Sequence, residues 1–185
     1  MRIAAIDPGT VETGIAVVEF GPAPRLLHSC TVARADRTAP LLPYLEMVYD
    51  NVRGYLTRDA VDLVAIEDVV APTLRMERAA YKPGPILETA IVAGFCLSFH
   101  HTTILVAPDG NGAGPLGNYP TELVSDRERQ HPNWRIRLGS DSHGHLRHER
   151  SAYDVARRGY QLRAHAHTLT PKPTPAQVRL ERLAQ

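Results

Sequence analysis

The hydrophobic pattern at the start of the chain predicts three consecutive β-strands. Apolar runs cover Arg2 to Asp7, Thr13 to Phe20 and Leu26 to Ala33. The turns between them, Asp7-Pro8-Gly9 and Gly21-Pro22-Ala23-Pro24, contain the glycine and proline that favour chain reversal. Strands joined by such short turns pair antiparallel, so we expect a meander whose first strand ends on a carboxylate.

A helical period follows the meander. From Pro40 to Leu56 the apolar residues recur at spacings of three and four, which predicts a helix with one buried face. The next apolar run, Asp62 to Glu67, again ends on an acid. A strand–helix–strand connection favours a parallel arrangement in one sheet, so Asp7 and Glu67 would converge at one edge if their strands are neighbours.

The second half of the chain predicts fewer and shorter strands. We expect a helix from Ile86 to about Ser98, a strand from Thr103 to Ala107 and a Gly/Pro-rich loop from Pro108 to Gly117. Pro120 then opens a short helix that reaches Arg129, and a final helix runs from about Ser151 to Ala164.

Length and composition indicate one globular domain. The chain has 185 residues, 43% of them apolar, and no run approaches the ~20 apolar residues of a membrane span. The first residues lack the pattern of a secretory signal, and Cys30 and Cys96 lie in apolar runs typical of buried, reduced thiols. We therefore expect a cytoplasmic protein with a domain at residues 1–167 and a Pro-rich, basic tail at residues 168–185.

Charge leaves the partner open. The net charge is +1, and all but two of the 21 basic residues are arginine. Arginine suits bidentate contacts with phosphate, but a GC-rich genome or a hot habitat produces the same bias.

Three acids are the candidate chemistry. Asp7 and Glu67 end predicted strands, and Asp154 lies in the last helix one turn after Ser151. Converging carboxylates need a cation between them, and oxygen-only sites favour Mg²⁺ or Mn²⁺. Each acid also has a structural explanation: Asp7 as the start of a turn, Glu67 as a solvated strand end, and Asp154 in a capping box with Ser151 as N-cap.

The motifs around these acids resemble a known family. Ile6-Asp7-Pro8-Gly9-Thr10 with Thr13-Gly14, then Ala65-Ile66-Glu67-Asp68-Val69, then Ser151-Ala152-Tyr153-Asp154-Val155-Ala156 resemble the RuvC family of Holliday junction resolvases, in a phage-type form. The resemblance covers roughly Arg2 to Ala164. It implies a ribonuclease-H-like α/β fold: a five-stranded mixed sheet, its first three strands antiparallel, with helices on both faces.

The resemblance also implies an activity. It implies metal-dependent cleavage of four-way DNA junctions, with the family's catalytic acids at Asp7, Glu67 and Asp154. Two Mg²⁺ ions, or Mn²⁺, bridged by Asp7 would support hydrolysis to 5′-phosphate and 3′-hydroxyl ends. It further implies a homodimer, with the helix from Ile86 to Ser98 as a candidate interface, and no membrane contact or small-molecule cofactor.

The sequence departs from the family pattern at the fourth metal ligand. That position is Ser151, a poor ligand. We expect His148 to take its place, with Glu149 as an alternative, or Ser151 to orient a water while three carboxylates bind directly. His143 and His145 lie in a polar loop, where exposure is more common than zinc binding.

The expected DNA contacts differ from the family as well. The position of the family's junction-opening aromatic residue is Val70, which leaves Tyr81 as a candidate for that task. The family's lysines near the loop after the fifth strand are missing. The basic residues available in their place are Arg75, Arg78, Lys82, Arg127 and Arg129.

Three other functions remain open from sequence. A generic nuclease for forks and flaps differs only in substrate, and a junction-binding protein without cleavage would not need the acids. An ATP-binding domain of the actin and sugar-kinase class shares the Asp-Xaa-Gly-Thr loop but needs two such domains and a second phosphate loop.

Overall fold

The computed structural model describes residues 1–70, 83–100, 102–130 and 146–168. The predictions for Arg75, Arg78, Tyr81 and Lys82, for the histidines at 143 and 145, and for the tail after residue 168 lie outside the described residues.

The core of the fold is a five-stranded mixed sheet. Its strands are β1 (Arg2–Asp7), β2 (Glu12–Glu19), β3 (Arg25–Ala33), β4 (Leu63–Glu67) and β5 (Thr103–Val106), in the spatial order β3-β2-β1-β4-β5. The pairs β1–β2 and β2–β3 are antiparallel, whereas β1–β4 and β4–β5 are parallel. The predicted antiparallel meander and the parallel fourth strand are confirmed.

Helices cover both faces of this sheet. The helices are α1 (Leu41–Asp59), α2 (Pro83–Cys96), α3 (Asp126–Gln130) and α4 (Leu146–Thr168). α1 and α2 pack on one face with Ala4 and Ile6 of β1, while α4 packs on the other face with Ile3 and Ala5. Because side chains alternate along a strand, Asp7 follows Ile3 and Ala5 onto the α4 side.

The last helix begins five residues earlier than predicted. α4 starts at Leu146, so Ser151 lies within the helix and the proposed capping box with Ser151 as N-cap is wrong. The segment Leu146 to Arg150 is mostly charged and carries no apolar period that would mark it as helical. Tertiary contacts with the sheet, rather than local sequence, set this helix start.

The short helix expected from Pro120 to Arg129 is broken. Two 3₁₀ turns, Leu116–Asn118 and Thr121–Leu123, precede α3. Ser125 ends this run because its hydroxyl accepts from the Glu128 backbone N–H at 3.3 Å while the Glu128 carboxylate accepts from the Ser125 N–H at 2.9 Å. The capping box therefore belongs to α3.

The predicted burial is confirmed for Cys96, whereas Cys30 is only half-buried because it lies on a strand at the edge of the sheet, and neither thiol forms a disulfide. None of the described helices is long and apolar enough to cross a bilayer.

Candidate active site

The register of β1 and β4 places two acids side by side. Ile6 pairs with Ile66, and Asp7 and Glu67 each follow by one residue. Burial, followed by the hydrogen bond and charge of Asp7, raises the pKa of Glu67 above its ordinary value. The two carboxyl groups are therefore close neighbours, and a shared proton or a cation between them would relieve their repulsion.

A glycine brings the start of α4 against this pair. Gly14 is the β2 partner of Asp7, and a Cβ at Gly14 would lie 2.0 Å from the backbone oxygen of His148. The absent side chain therefore lets α4 approach the sheet closely at this point. The closeness of His148 to Asp7 depends on it.

His148 lies between two carboxylates. Its Nδ1 is 2.9 Å from Asp7 Oδ2, and its Nε2 is 3.3 Å from Glu12 Oε2. The hydrogen bond to Asp7 raises the pKa of His148, and the charges of Asp7 and Glu12 act in the same direction against the effect of burial. The structure therefore joins His148 to the acid pair, and it adds Glu12, which the motif did not mark.

The turn after Asp7 is fixed by a buried hydroxyl pair. Thr13 Oγ1 and the Tyr44 hydroxyl of α1 are 2.5 Å apart, and both residues are almost inaccessible. The Tyr44 hydroxyl also donates to the Gly9 carbonyl at 3.1 Å. α1 thereby holds the end of β1, and Asp7 with it, in a defined place.

Asp154 is held by the loop that follows β5. Its Oδ2 accepts from the Gly112 backbone N–H at 3.0 Å and from the Tyr119 hydroxyl at 2.6 Å. The neighbouring Asn111 donates its Nδ2 hydrogen to Glu67 Oε1 at 2.6 Å. Asp154 therefore lies at the same end of the sheet as the acid pair, and one loop contacts acids from two different elements.

Sequence reasoning missed Asn111 and Tyr119. The only local signal is a polar residue flanked by glycines, Gly110-Asn111-Gly112, directly after a strand end. A tyrosine further along the same loop carries no signal of its own, because its contact with Asp154 spans 35 residues.

The candidates for the fourth ligand separate clearly. His148 contacts Asp7, whereas the Glu149 carboxylate accepts hydrogen bonds from Ser29 and Thr31 on β3. Ser151 is 5% exposed and packs under the loop that follows β5. A Cβ built on Gly112 of this loop would lie 3.2 Å from the Cβ of Ser151. Of the three candidates His148 is the one in contact with the acid pair.

The donor chemistry fits a hard divalent cation. Within residues 1–70, 83–100, 102–130 and 146–168, no three His, Cys, Asp or Glu side chains are already gathered around a metal position. The neighbouring Asp7 and Glu67 carboxylates nevertheless supply oxygen donors whose repulsion a divalent cation would relieve. Asn111 Oδ1 is buried beside them without a partner among the described residues, a further oxygen of the kind such cations accept. Asp7, Glu67 and Asp154, with His148, are the residues that would hold it.

The two described DNA-contact candidates differ in availability. Arg127 is exposed on α3. The Arg129 guanidinium donates to the carbonyls of Thr121 and Val124 at 3.0 and 2.9 Å, so it braces its own segment. Val70, at the position of the family's aromatic residue, is 58% exposed.

Comparison with curated proteins finds sequence similarity to RuvC endonucleases. The chain is 31% identical over 117 residues to the crossover junction endodeoxyribonuclease RuvC of Mycobacterium avium, a match covering 61% of this chain and 62% of the relative. The RuvC of Mycobacterium leprae matches to the same extent. The matched segment thus spans less than two thirds of these curated relatives, and no protein-family model matches the chain.

The fold comparison agrees with the sequence comparison. Thermus thermophilus RuvC, solved in complex with a Holliday junction substrate, superposes with a TM-score of 0.51 at 22% identity, covering 89% of this chain and 96% of that one. At 22% identity the superposition shows that the two proteins share a fold. The chain is thus similar in sequence to RuvC over the matched segment, and it has the same fold as the Thermus protein.

Proposed function

We propose that this protein is a metal-dependent endonuclease that resolves four-way DNA junctions, leaving 5′-phosphate and 3′-hydroxyl ends. The observation that carries the proposal is the placement of Asp7 and Glu67 at adjacent parallel strand ends, with His148 bonded to Asp7. The kinship with RuvC supports the choice of substrate.

Each residue of the proposed site has a distinct role. Asp7 is the central ligand, and Thr13 and Tyr44 fix the turn that follows it. Glu67 and Asp154 complete the oxygen donors. His148 is the candidate fourth ligand, and its Nδ1 contact holds it beside the Asp7 carboxylate. Two bound Mg²⁺ ions would activate the attacking water and stabilise the leaving 3′-oxygen.

The proposed partners are branched DNA and a second copy of this chain. A four-way junction offers two symmetric strands, which a two-fold dimer with two sites matches. Leu87 and Ile91, 64% and 44% exposed and one turn apart on α2, support this helix as the interface. Arg127 on α3 is a proposed phosphate contact, as are the basic residues of the tail at 168–185.

An Asp7→Asn variant tests the proposal. We expect it to abolish cleavage of a labelled four-way junction in Mg²⁺, because the amide replaces a charged oxygen ligand, and to retain junction binding in EDTA. Asp50→Asn, which changes an exposed acid on α1, is the matched control and should cleave normally. Full cleavage by Asp7→Asn would refute the assignment of this site.

The same assay settles the substrate range. Forks and flaps tested beside the junction, in Mg²⁺ and then in Mn²⁺, separate a junction resolvase from a broader branched-DNA nuclease. Preference for the junction supports the proposal, and equal rates on all substrates favour the broader activity.

A further inference from the structure

We infer that the loop of residues 107–119 is a positioning element of the candidate active site, in which Asn111 fixes Glu67 and Tyr119 fixes Asp154. The inference rests on the proposed function and names residues that the family motif does not mark. Glu67 comes from β4 and Asp154 from α4, and this loop makes a hydrogen bond to each. Their relative position is therefore set through one segment.

Tyr119 is built to orient a carboxylate. Its ring is 7% exposed and packs edge-on against Tyr153, with the ring centroids 6.1 Å apart. The hydroxyl accepts from the Gly114 N–H at 3.0 Å, so its single hydrogen is directed to Asp154 at 2.6 Å. Because both sides of the hydroxyl are engaged, neither it nor the Asp154 oxygen turns freely.

Asn111 has one described polar contact on its side chain, and it is Glu67. The Nδ2 hydrogen goes to Glu67 Oε1 at 2.6 Å, while Oδ1 is buried without a partner in the described part of the chain. A buried acceptor left unpaired costs free energy, and a partner bound at this position would offset that cost. The oxygen is available to a water or cation that joins Glu67.

The loop of residues 107–119 packs closely against α4 at Gly112. Gly112 has a φ of +73°, and a Cβ there would lie 2.8 Å from the Arg147 oxygen and 3.0 Å from the Ser151 nitrogen. The backbone between the two positioning residues thus lies directly on α4, where its own N–H also bonds Asp154. Glycine is needed here both for the left-handed conformation and for the close contact.

Two variants test the inference. Asn111→Ala and Tyr119→Phe should each raise the Mg²⁺ concentration for half-maximal junction cleavage by about tenfold to 100-fold, the usual effect of losing a partner that orients a metal ligand. Mn²⁺ binding to the DNA-free protein, followed by electron paramagnetic resonance, should weaken in parallel. Junction binding in EDTA and the melting temperature of Tyr119→Phe should match those of the parent protein.

Matched controls separate orientation from packing. Asn118→Ala changes an exposed amide of the same loop, and Tyr160→Phe removes a hydroxyl from a ring that stacks on Phe20 at 4.4 Å. Both should keep the parent's Mg²⁺ dependence. A folded Tyr119→Phe with unchanged Mg²⁺ and Mn²⁺ behaviour overturns the inference, and it decides the matter if Asn111→Ala fails to fold.

The Mn²⁺ measurement keeps the two proposals apart. Weakened Mn²⁺ binding in the variants of a protein that cleaves no branched DNA would refute the proposed function and leave the positioning role intact. If the parent cleaves junctions but both variants bind Mn²⁺ normally, the positioning role is refuted and the proposed function is supported.

Discussion

At the scale of single residues, His148 and Ser151 compete for one role at the site. His148 bonds Asp7 through Nδ1, whereas Ser151 is buried beneath the loop that follows β5. The resemblance to the family places the fourth metal ligand at position 151. Serine is a poor metal ligand, and this chemical reason favours His148. The contact with Asp7 supports that preference, and the ligand assignment stays a prediction.

We predict that Ser151→Ala is tolerated better than His148→Ala. Loss of the imidazole removes the contact that orients Asp7, so His148→Ala should lower the cleavage rate in Mg²⁺ by at least about tenfold. Ser151→Ala loses one buried hydroxyl and keeps the packing under the loop. Rates measured on the same junction under saturating Mg²⁺ compare the two, and the reverse ranking would show that Ser151 binds the cation.

At the scale of elements, the sequence predicted the order of strands and helices and the meeting of Asp7 with Glu67. That success follows from local rules, since strand ends in a parallel pair share an edge. The sequence did not predict the early start of α4 or the contacts of Asn111 and Tyr119, because long-range packing determines these features. A mostly charged stretch becomes the first turns of α4 only when it lies on β2.

The close contact between α4 and Gly14 of β2 predicts a strong effect of Gly14→Ala. The new methyl group would meet the His148 backbone oxygen, and neither strand nor helix has a flexible group to move aside. We expect a loss of about 3 kcal/mol in the free energy of unfolding. Cleavage should fall by about 100-fold, because His148 and Asp154 shift together.

Gly54→Ala is the control for this change. Gly54 is exposed on α1, and a Cβ there meets nothing within 4 Å. Alanine should stabilise the helix by about 1 kcal/mol and leave cleavage unchanged. Denaturant unfolding of both variants measures the difference, and equal stabilities would mean that α4 does not press on Gly14.

A buried ion pair joins α4 to α3. Arg150 is completely buried, with its Nη2 2.9 Å from Glu128 Oε1 and its Nη1 2.9 Å from the Leu123 carbonyl. Removing one partner leaves a buried charge, so Glu128→Ala should cost about 3 kcal/mol of unfolding free energy. Glu122→Ala, at an exposed acid nearby, should cost almost nothing in the same urea titration.

At the scale of the whole molecule, the exposed apolar face of α2 predicts self-association. If the proposed homodimer forms through α2, Leu87→Asp should reduce the molecular mass in light scattering to that of a monomer, because the charge would enter an apolar interface. Leu162→Asp changes a residue of α4 that is 51% exposed and should leave the molecular mass unchanged. A dimer that survives Leu87→Asp would place the interface elsewhere.

The contact between β1 and α4 has a consequence for biosynthesis. Asp7 lies at the end of β1, and His148, which bonds it, follows 141 positions later in the chain. Long-range contacts of this kind form slowly and only after most of the chain has left the ribosome. Under the proposed function, a nascent or prematurely terminated chain that ends before residue 146 carries no complete cutting site. A chain truncated before α4 is therefore expected not to cleave DNA, because it lacks both His148 and Asp154.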